Sequence, residues 1–573
     1  MHYMNKNMLL KKIMLLSLVF CLVFSNSCTD LSEEVLDESL SGGATVDQEA
    51  AGSLAPAYAI LPGLFQHTVY FTLQEISTDE AILPYRGGTD WGDNGIFIDM
   101  HRHTNSPSHI RIRDAWNAIV QGVTRSVVAI TVLTPIDNAQ ARIYLAEARA
   151  LRAYYSLLSL DLFGLVFVKD DLSQTSAILR GNDAVEFIRT ELLSVVDEVS
   201  TTTGPGRITK GGVYGLLARL HLNAPVYRDP YADAFDFTTS DMDKVIEYCN
   251  EVIALGQYEF SAEYFEIFDD ENHDNRELIF AIDQRADLNG HNRMAYFSLS
   301  GDQYPLPEFP NANGTDGAAI TSDFYQTWVQ AYAPDDPATK DPRFHKQNLS
   351  IYSNPSDSCV SGAAFEINRG ILRGQQYGLL HSAHGAPFER CQDGVNYKVG
   401  KLYNITRANK TLPVIFTEQV DFTEAGSGYS SGYRVEKYEF SKKSDTGRNK
   451  GEADIVILRF ADIYMMRAEA KLRKGDATGA LQDVNTVRAS RTARANPPPA
   501  LTEMNLDLLF RERGFEFYWE MLRRTDMIRF GKYERQWTEK TDTDKHKRLF
   551  PIPQTAIDGA SNISGYLIQN QGY

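Results

Sequence analysis

Apolar residues recur three and four positions apart through much of the first half of the chain. In Ala146–Leu158 this spacing predicts a helix, with Ala146, Ala150 and Ala153 on one stripe that lets a neighbouring helix approach closely. Gly164 is placed to stop it. The same pattern predicts helices over Gly212–Leu222, opened after Thr209, and over Met242–Ala254, closed by Gly256. Near the C-terminus, Ile457–Arg473 reads as a helix broken by Gly475. Asp476 can cap a return helix that carries Ala480, Leu481 and Val484 inward and runs to about Arg491. Leu506–Trp519 and Leu522–Phe530 continue the helical pattern. Small residues at a crossing, a Gly-Asp turn and Ala-Leu in the return make Ala468–Val487 read like a TPR hairpin. The helix pairs recur at spacings compatible with a TPR-like array, although the repeats diverge too far for spacing alone to establish one.

Between 265 and 455 the period fades, and Gly, Asn, Ser, Pro and Tyr become dense. Long irregular stretches amid helices are commonly functional. The expected fold is therefore mainly α: a TPR-like helical hairpin array with an inserted irregular, loop-rich lobe and a few short strands. The expected division is a leader over 1–27, an acidic tether over 28–57, and a helical region over 58–264. The irregular lobe follows over 265–455, and a second helical region and tail over 456–573.

The leader carries an address. Lys6, Lys11 and Lys12 precede an uncharged run, Ile13–Phe24, too short for the roughly 20 apolar residues of a membrane-spanning helix and suited to a signal peptide. Ser25-Asn26-Ser27-Cys28 then suggests a lipobox, with Cys28 lipidated and the body held at a membrane by that anchor. No later segment reads as a membrane span.

The formal charge of −18, more negative still once the leader's lysines are removed, argues against nucleic acid, whose binding depends on neutralising phosphates. It also disfavours a polyanionic ligand. Cys249, Cys359 and Cys391 lack C-x-x-C spacing, so zinc is not expected, while Cys359 and Cys391 could pair in an exported protein. No phosphate loop, dinucleotide loop, H-E-x-x-H or G-x-S-x-G pattern occurs, and no metal or cofactor is expected. His101 and His103 would point oppositely on a strand and read as structural histidines. Glu512 and Glu516 superficially form an acid pair, but beside Arg513, Arg523 and Arg524 they read as ion-pair partners. No catalytic residue is assigned.

Four separated stretches resemble the SusD/RagB family of surface lipoproteins. They are Ser77–Glu80 with Arg86–Trp91, His103-Thr104 and Trp116; Ala146–Tyr155 with Leu162-Phe163-Gly164; Leu458–Asp462 with Ala468–Ala470 and Val484–Arg488; and Glu512–Glu516 with Arg523–Asp526 and Arg529–Lys532. Pro551-Ile552-Pro553 and Gln569–Tyr573 also fit. The resemblance implies a non-enzymatic protein, lipid-anchored at the outer membrane and exposed at the cell surface, that captures oligosaccharide for a SusC-like TonB-dependent transporter. A peptide or glycopeptide ligand, as in the RagB branch, is the alternative.

Sugar recognition needs aromatic faces for C–H surfaces and planar polar groups for hydroxyls. Trp91 lies in Arg86–Gly95, a loop of four glycines with Asp90, Asp93 and Asn94, where a tryptophan is hard to explain as core. The resemblance extends to this loop, with Trp91 as a stacking platform and Asn94 as its amide partner. The candidate ligand residues are Trp91, Asn94, Asp93 and Arg86, with Tyr296 and Tyr304 from the irregular lobe. Trp116, Trp328 and Trp519 are expected in the core.

Overall fold

The computed structural model describes residues 46–573 apart from 87–93, 170–172, 286–291, 350–357, 421, 423–427, 430 and 495–496. Its helices include α1 (Ile96–Arg102), α2 (Ile110–Leu133), α3 (Ala139–Phe163), α4 (Gly181–Leu193), α5 (Lys210–Arg228) and α6 (Thr239–Ala254). The lobe contributes α7 (Ser322–Tyr332). The C-terminal region adds α8 (Phe460–Arg473), α9 (Ala477–Ser490), α10 (Leu506–Phe517) and α11 (Arg523–Arg529). Each of α2 to α5 packs on the next in sequence, α6 packs on α8, and α8 pairs with α9, which makes one continuous helical array.

The caps follow from local chemistry. Asn138 accepts from the Ala141 amide to open α3, and Gly164, at φ 69°, closes it in the left-handed region. Thr209 opens α5 by accepting from Gly212, and Asp476 opens α9 by accepting from Gly479. Helices α2 and α3 meet closely at Gly122, where a Cβ would lie 2.3 Å from the Tyr155 ring. Helix α2, at 24 residues, is long and apolar enough by composition to cross a membrane, which the sequence pattern missed. Its Ile112, Ala115, Trp116 and Ile119 are buried in the core, so the apolar stripe is spent on packing.

Short strands build the lobe: β1 (Leu278–Ile282), β2 (His345–Lys346), β3 (Ser358–Val360), β4 (Arg369–Leu372), β5 (Gly374–Gln375), β6 (Tyr377–Leu379), β7 (Tyr397–Lys401), β8 (Ile415–Phe416), β9 (Arg434–Glu436) and β10 (Ile455–Arg459). They pair antiparallel in small groups, β9-β4-β2, β6-β7-β3, β8-β5 and β10-β1. The predicted helix from Ile457 is corrected here: Ile455–Arg459 is a strand paired from Ile455 opposite Ile282 to Arg459 opposite Leu278, and the helix begins at Phe460. A run of β-branched and aliphatic residues beside a partner edge outweighs the helical period. A second apolar cluster, including Tyr296, Leu299, Tyr304, Phe365, Phe388 and Phe416, fills the lobe separately from the main core.

Cys359 and Cys391 are joined by a disulfide, Cα–Cα 6.2 Å, closing a loop of sequence separation 32. A loop of that size corresponds to about 3–4 kcal/mol of chain-entropy stabilisation. Cys391→Ser is expected to lower the Tm of the soluble chain, and reductant should do the same to the wild type but leave the variant unchanged. Equal melting with and without reductant would show that the bridge carries no stability.

The centre of the molecule is ionic. Arg343, Arg459, Arg488, Arg491 and Lys437 are buried together with Asp341, Glu277, Glu512, Glu516 and Glu520. Glu516 pairs with Arg343 (3.0 Å), Arg459 (2.8 Å) and Arg491 (2.6 Å), and Glu512 with Arg343 (3.2 Å) and Arg488. The ion-pair reading of these glutamates stands, but most of their partners come from other elements. Arg513 instead takes Asp462 and Asp526, Arg523 takes Asp79, and Arg524 takes Asp161.

Candidate functional site

The chain enters the Trp91 loop from a fixed point. Ala81–Ile82 pairs with Ala319–Ile320, and four residues later Arg86, 2% exposed, turns its guanidinium onto main-chain carbonyls of the lobe. Its Nε donates to Asp316 O (3.1 Å), one Nη to Gly317 O (2.9 Å) and the other to Ser431 O and, at 3.2 Å, to Ser431 Oγ. Burial, then the charge of Arg434, pulls the Arg86 pKa well below its ordinary value. Residues 87–93, with Trp91 and Asp93, lie outside the described residues, as does Cys28.

The chain leaves the loop at a second fixed point. Asn94 (φ 55°) and Gly95 (φ 78°) both occupy the left-handed region and lead into α1. At Gly95 the left-handed backbone favours glycine, and a Cβ would press to 2.6 Å from the Tyr85 hydroxyl. Asn94 is exposed, which leaves its amide open to solvent.

Beneath Arg86 lies a polar cluster. The Asp316 carboxylate pairs with Arg407 and lies 3.8 Å from Arg434, and its backbone is left-handed at φ 53°. Arg434, fully buried, donates to Tyr429 O at 2.5 Å and lies 5.1 Å above the Phe416 ring. Burial takes its pKa down to about 10, with Asp316 opposing the shift. Arg407, partly exposed, stacks 3.8 Å over the half-buried Tyr429 ring. At Gly301 a Cβ would press to 2.8 Å from the ends of both Arg407 and Asp316 and disturb their pairing. The arrangement therefore offers oriented planar groups, held by neighbours, beside a loop fixed at both ends.

The structure brings Arg86 to this cluster, and takes the tyrosines away from solvent. Tyr296 is buried, its hydroxyl accepting from Arg448 Nε at 2.8 Å, and its carbonyl accepts from Thr315, next to Asp316. Tyr304 is 2% exposed, bonded to His384 Nδ1 (3.0 Å) and set against His381 and Phe388. The expectation of ligand-facing rings at Tyr296 and Tyr304 is thus corrected: both serve the lobe's apolar cluster, where ring area contributes more to packing than it would at a surface. Arg86 likewise acts as an anchor, with its guanidinium covered. Asp316, Arg407, Tyr429 and Arg434 were not found by sequence reasoning. Only the Asn313-Gly314-Thr315-Asp316-Gly317 turn signal hinted at the first.

The remaining candidates settle as structure. His101 and His103 end α1 instead of lying on a strand; their Nε2 atoms bond Thr538 O and Ser77 O, each at 2.9 Å. Burial lowers both imidazole pKa values. Trp116, Trp328 and Trp519 are buried, Trp328 stacking 3.7 Å from the Phe515 ring of α10. Among the described residues no group of His, Cys, Asp or Glu is arranged to hold a metal ion.

Comparison with known proteins places this geometry. The SusD family model matches residues 260–573. The starch-binding protein SusD of Bacteroides thetaiotaomicron is 26% identical over 525 residues, covering 88% of this chain and 85% of that protein. Similar solved structures include a SusD superfamily protein of Parabacteroides distasonis (TM-score 0.66, 16% identity, 93% of this chain and all of that one). Another is surface glycan-binding protein A of B. thetaiotaomicron with laminarihexaose (TM-score 0.60, 19% identity, 91% and 99% coverage). A family match over more than half of the chain, on a helical array with the corresponding fold, means that this chain belongs to the SusD family.

Proposed function

We propose that the protein is a cell-surface lipoprotein of the outer membrane that captures an oligosaccharide and delivers it to a SusC-like TonB-dependent transporter, without catalysing a reaction on it. The observation that carries the reading is a tryptophan-bearing loop held at one end by buried Arg86 and at the other by the left-handed Asn94-Gly95 pair. Such anchoring lowers the ordering cost of binding. Trp91 supplies the stacking platform and Asn94 an exposed amide, with Asp93 beside them and Arg86 in support. The starch-binding and laminarihexaose-bound relatives favour a glycan ligand over a peptide.

The experiment is an affinity-gel and calorimetry screen of the soluble chain, without residues 1–28, against neutral and acidic oligosaccharides and against peptides. The expected result is binding of at least one glycan, with no new reducing ends after prolonged incubation. Binding of peptides alone would transfer the site to the peptide reading, and release of sugar fragments would overturn the non-catalytic one.

A further inference from the structure

A second concavity lies on the lobe between the segment after α7 and strands β4 to β6. It is a cleft of about 750 Å³ lined on one side by residues of 336–349 and on the other by residues of 367–377, with Tyr433 and Arg494 at its edges. That volume is within the roughly 300–1,000 Å³ of small-molecule sites. We propose that this cleft is a second ligand site, for an uncharged oligosaccharide, separate from the Trp91 loop; the proposal rests on the glycan-binding reading above.

The charges of the cleft are already matched. Arg373 donates to both oxygens of Asp336, each at 2.9 Å, and to the Tyr325 hydroxyl at 3.2 Å, while its guanidinium lies 4.8 Å from the Phe344 ring centre. Arg494 pairs with Glu263 at 2.9 Å and donates to His345 O at 2.6 Å. Asp341 is taken by Arg343 at 2.7 Å. His345 bonds Ile371 O through Nδ1 at 3.2 Å, and burial, aided by Arg373 and Arg494, pushes its pKa down to about 4, so the ring is neutral near pH 7. A carboxylated or sulfated glycan entering here would have to compete for spent cations, and drawing Arg494 away would leave the buried Glu263 unpaired. The chain's formal charge of −18 opposes its approach as well.

What remains is suited to hydroxyls and C–H faces. Gln375 and Gln376 are held by their own amide bonds, Gln375 Nε2 to Gln376 O at 2.8 Å and Gln376 Nε2 to Gly374 O at 3.0 Å. Gln376 Oε1 accepts from Gln303 at 3.2 Å. Gln347 is exposed, and the half-buried Tyr377 and Tyr433 also line the cleft. Glutamine side chains oriented by these bonds, with two tyrosines in the same lining, suit a neutral polyol whose binding displaces no existing ion pair.

The test is hydroxyl-radical footprinting of the soluble full-length body with neutral glucan hexasaccharides and, separately, an oligogalacturonate. Alongside runs Thr339→Trp, which fills the cleft from an exposed position on its lining. Protection of Tyr377 and Tyr433 by a neutral sugar is expected to persist in Trp91→Ala and to disappear in Thr339→Trp, with the apparent Kd at these tyrosines raised at least about tenfold. Protection by the acidic sugar alone overturns the proposal, as does Trp91-dependent binding that leaves both tyrosines reactive; either result keeps the glycan reading. Failure of every glycan to bind anywhere overturns both.

Discussion

Arg459→Met is expected to lower the unfolding free energy by about 3–5 kcal/mol, the cost of removing one member of a buried ion pair. The residue bridges three carboxylates: Nη1 meets Glu277 at 2.7 Å and Glu516 at 2.8 Å, and Nε meets Glu520 at 2.8 Å. All these side chains are 0–2% exposed. The surrounding cluster holds five cations and five carboxylates, so losing Arg459 leaves one negative charge uncompensated in the interior. The opposing charges already hold the Glu516 pKa well below the carboxylate range, while burial lowers Lys437 to about 8. Lys437 is already cationic near pH 7 and cannot supply the missing positive charge. Arg459→Lys should retain the charge but lose the fork geometry, and so fall between wild type and Met. Denaturant melts at constant m-value read the difference. A change below about 1 kcal/mol for the Met variant would show that the cluster relaxes or hydrates around the loss.

Trp91→Ala is expected to weaken glycan binding about 30-fold, the effect of truncating an aromatic anchor worth roughly 2 kcal/mol, with Tm unchanged. Arg86→Ala should reduce both affinity and Tm, because it leaves the carbonyls of Asp316, Gly317 and Ser431 without their donor in a buried setting. Calorimetry with the glycan selected by the screen, paired with thermal melts, separates the two behaviours. Wild-type affinity in Trp91→Ala would remove the tryptophan as the platform while leaving capture itself intact. Loss of Tm in Trp91→Ala would make it a packing residue.

How much of this was legible beforehand differs between elements for physical reasons. Helix α3 was readable from its alanine stripe and its Gly164 stop, local signals that agree, although its start at Ala139 behind the Asn138 cap was not read. The start of α8 was misplaced because Ile457 and Leu458 follow a helical period equally well, and only the distant Leu278–Ile282 edge decides for strand. Glu512 and Glu516 illustrate the same limit: neighbour spacing shows that they need cations, but the cations arrive from Arg343, Arg459, Arg488 and Arg491 through tertiary folding. In the lobe, tyrosine density marked an aromatic region but not which rings the second apolar cluster would claim. Tyr304 and Tyr429 have similar polar and glycine-rich surroundings in sequence, yet one is enclosed and the other half open. The partners of Asp316 are 91 and 118 positions away, at Arg407 and Arg434, and no local pattern announces them.

The two anchors of the 86–95 segment also bear on how this protein could diversify. Arg86 is tied to main-chain carbonyls of 316, 317 and 431, and Gly95 turns left-handed beside Tyr85, so residues outside 87–93 hold the two ends of the segment. The segment is then an exchangeable cassette. If the proposed glycan capture holds, substitution within it is the place to seek new sugar preferences, and a laboratory graft bounded by Arg86 and Asn94 is the natural unit for that trial.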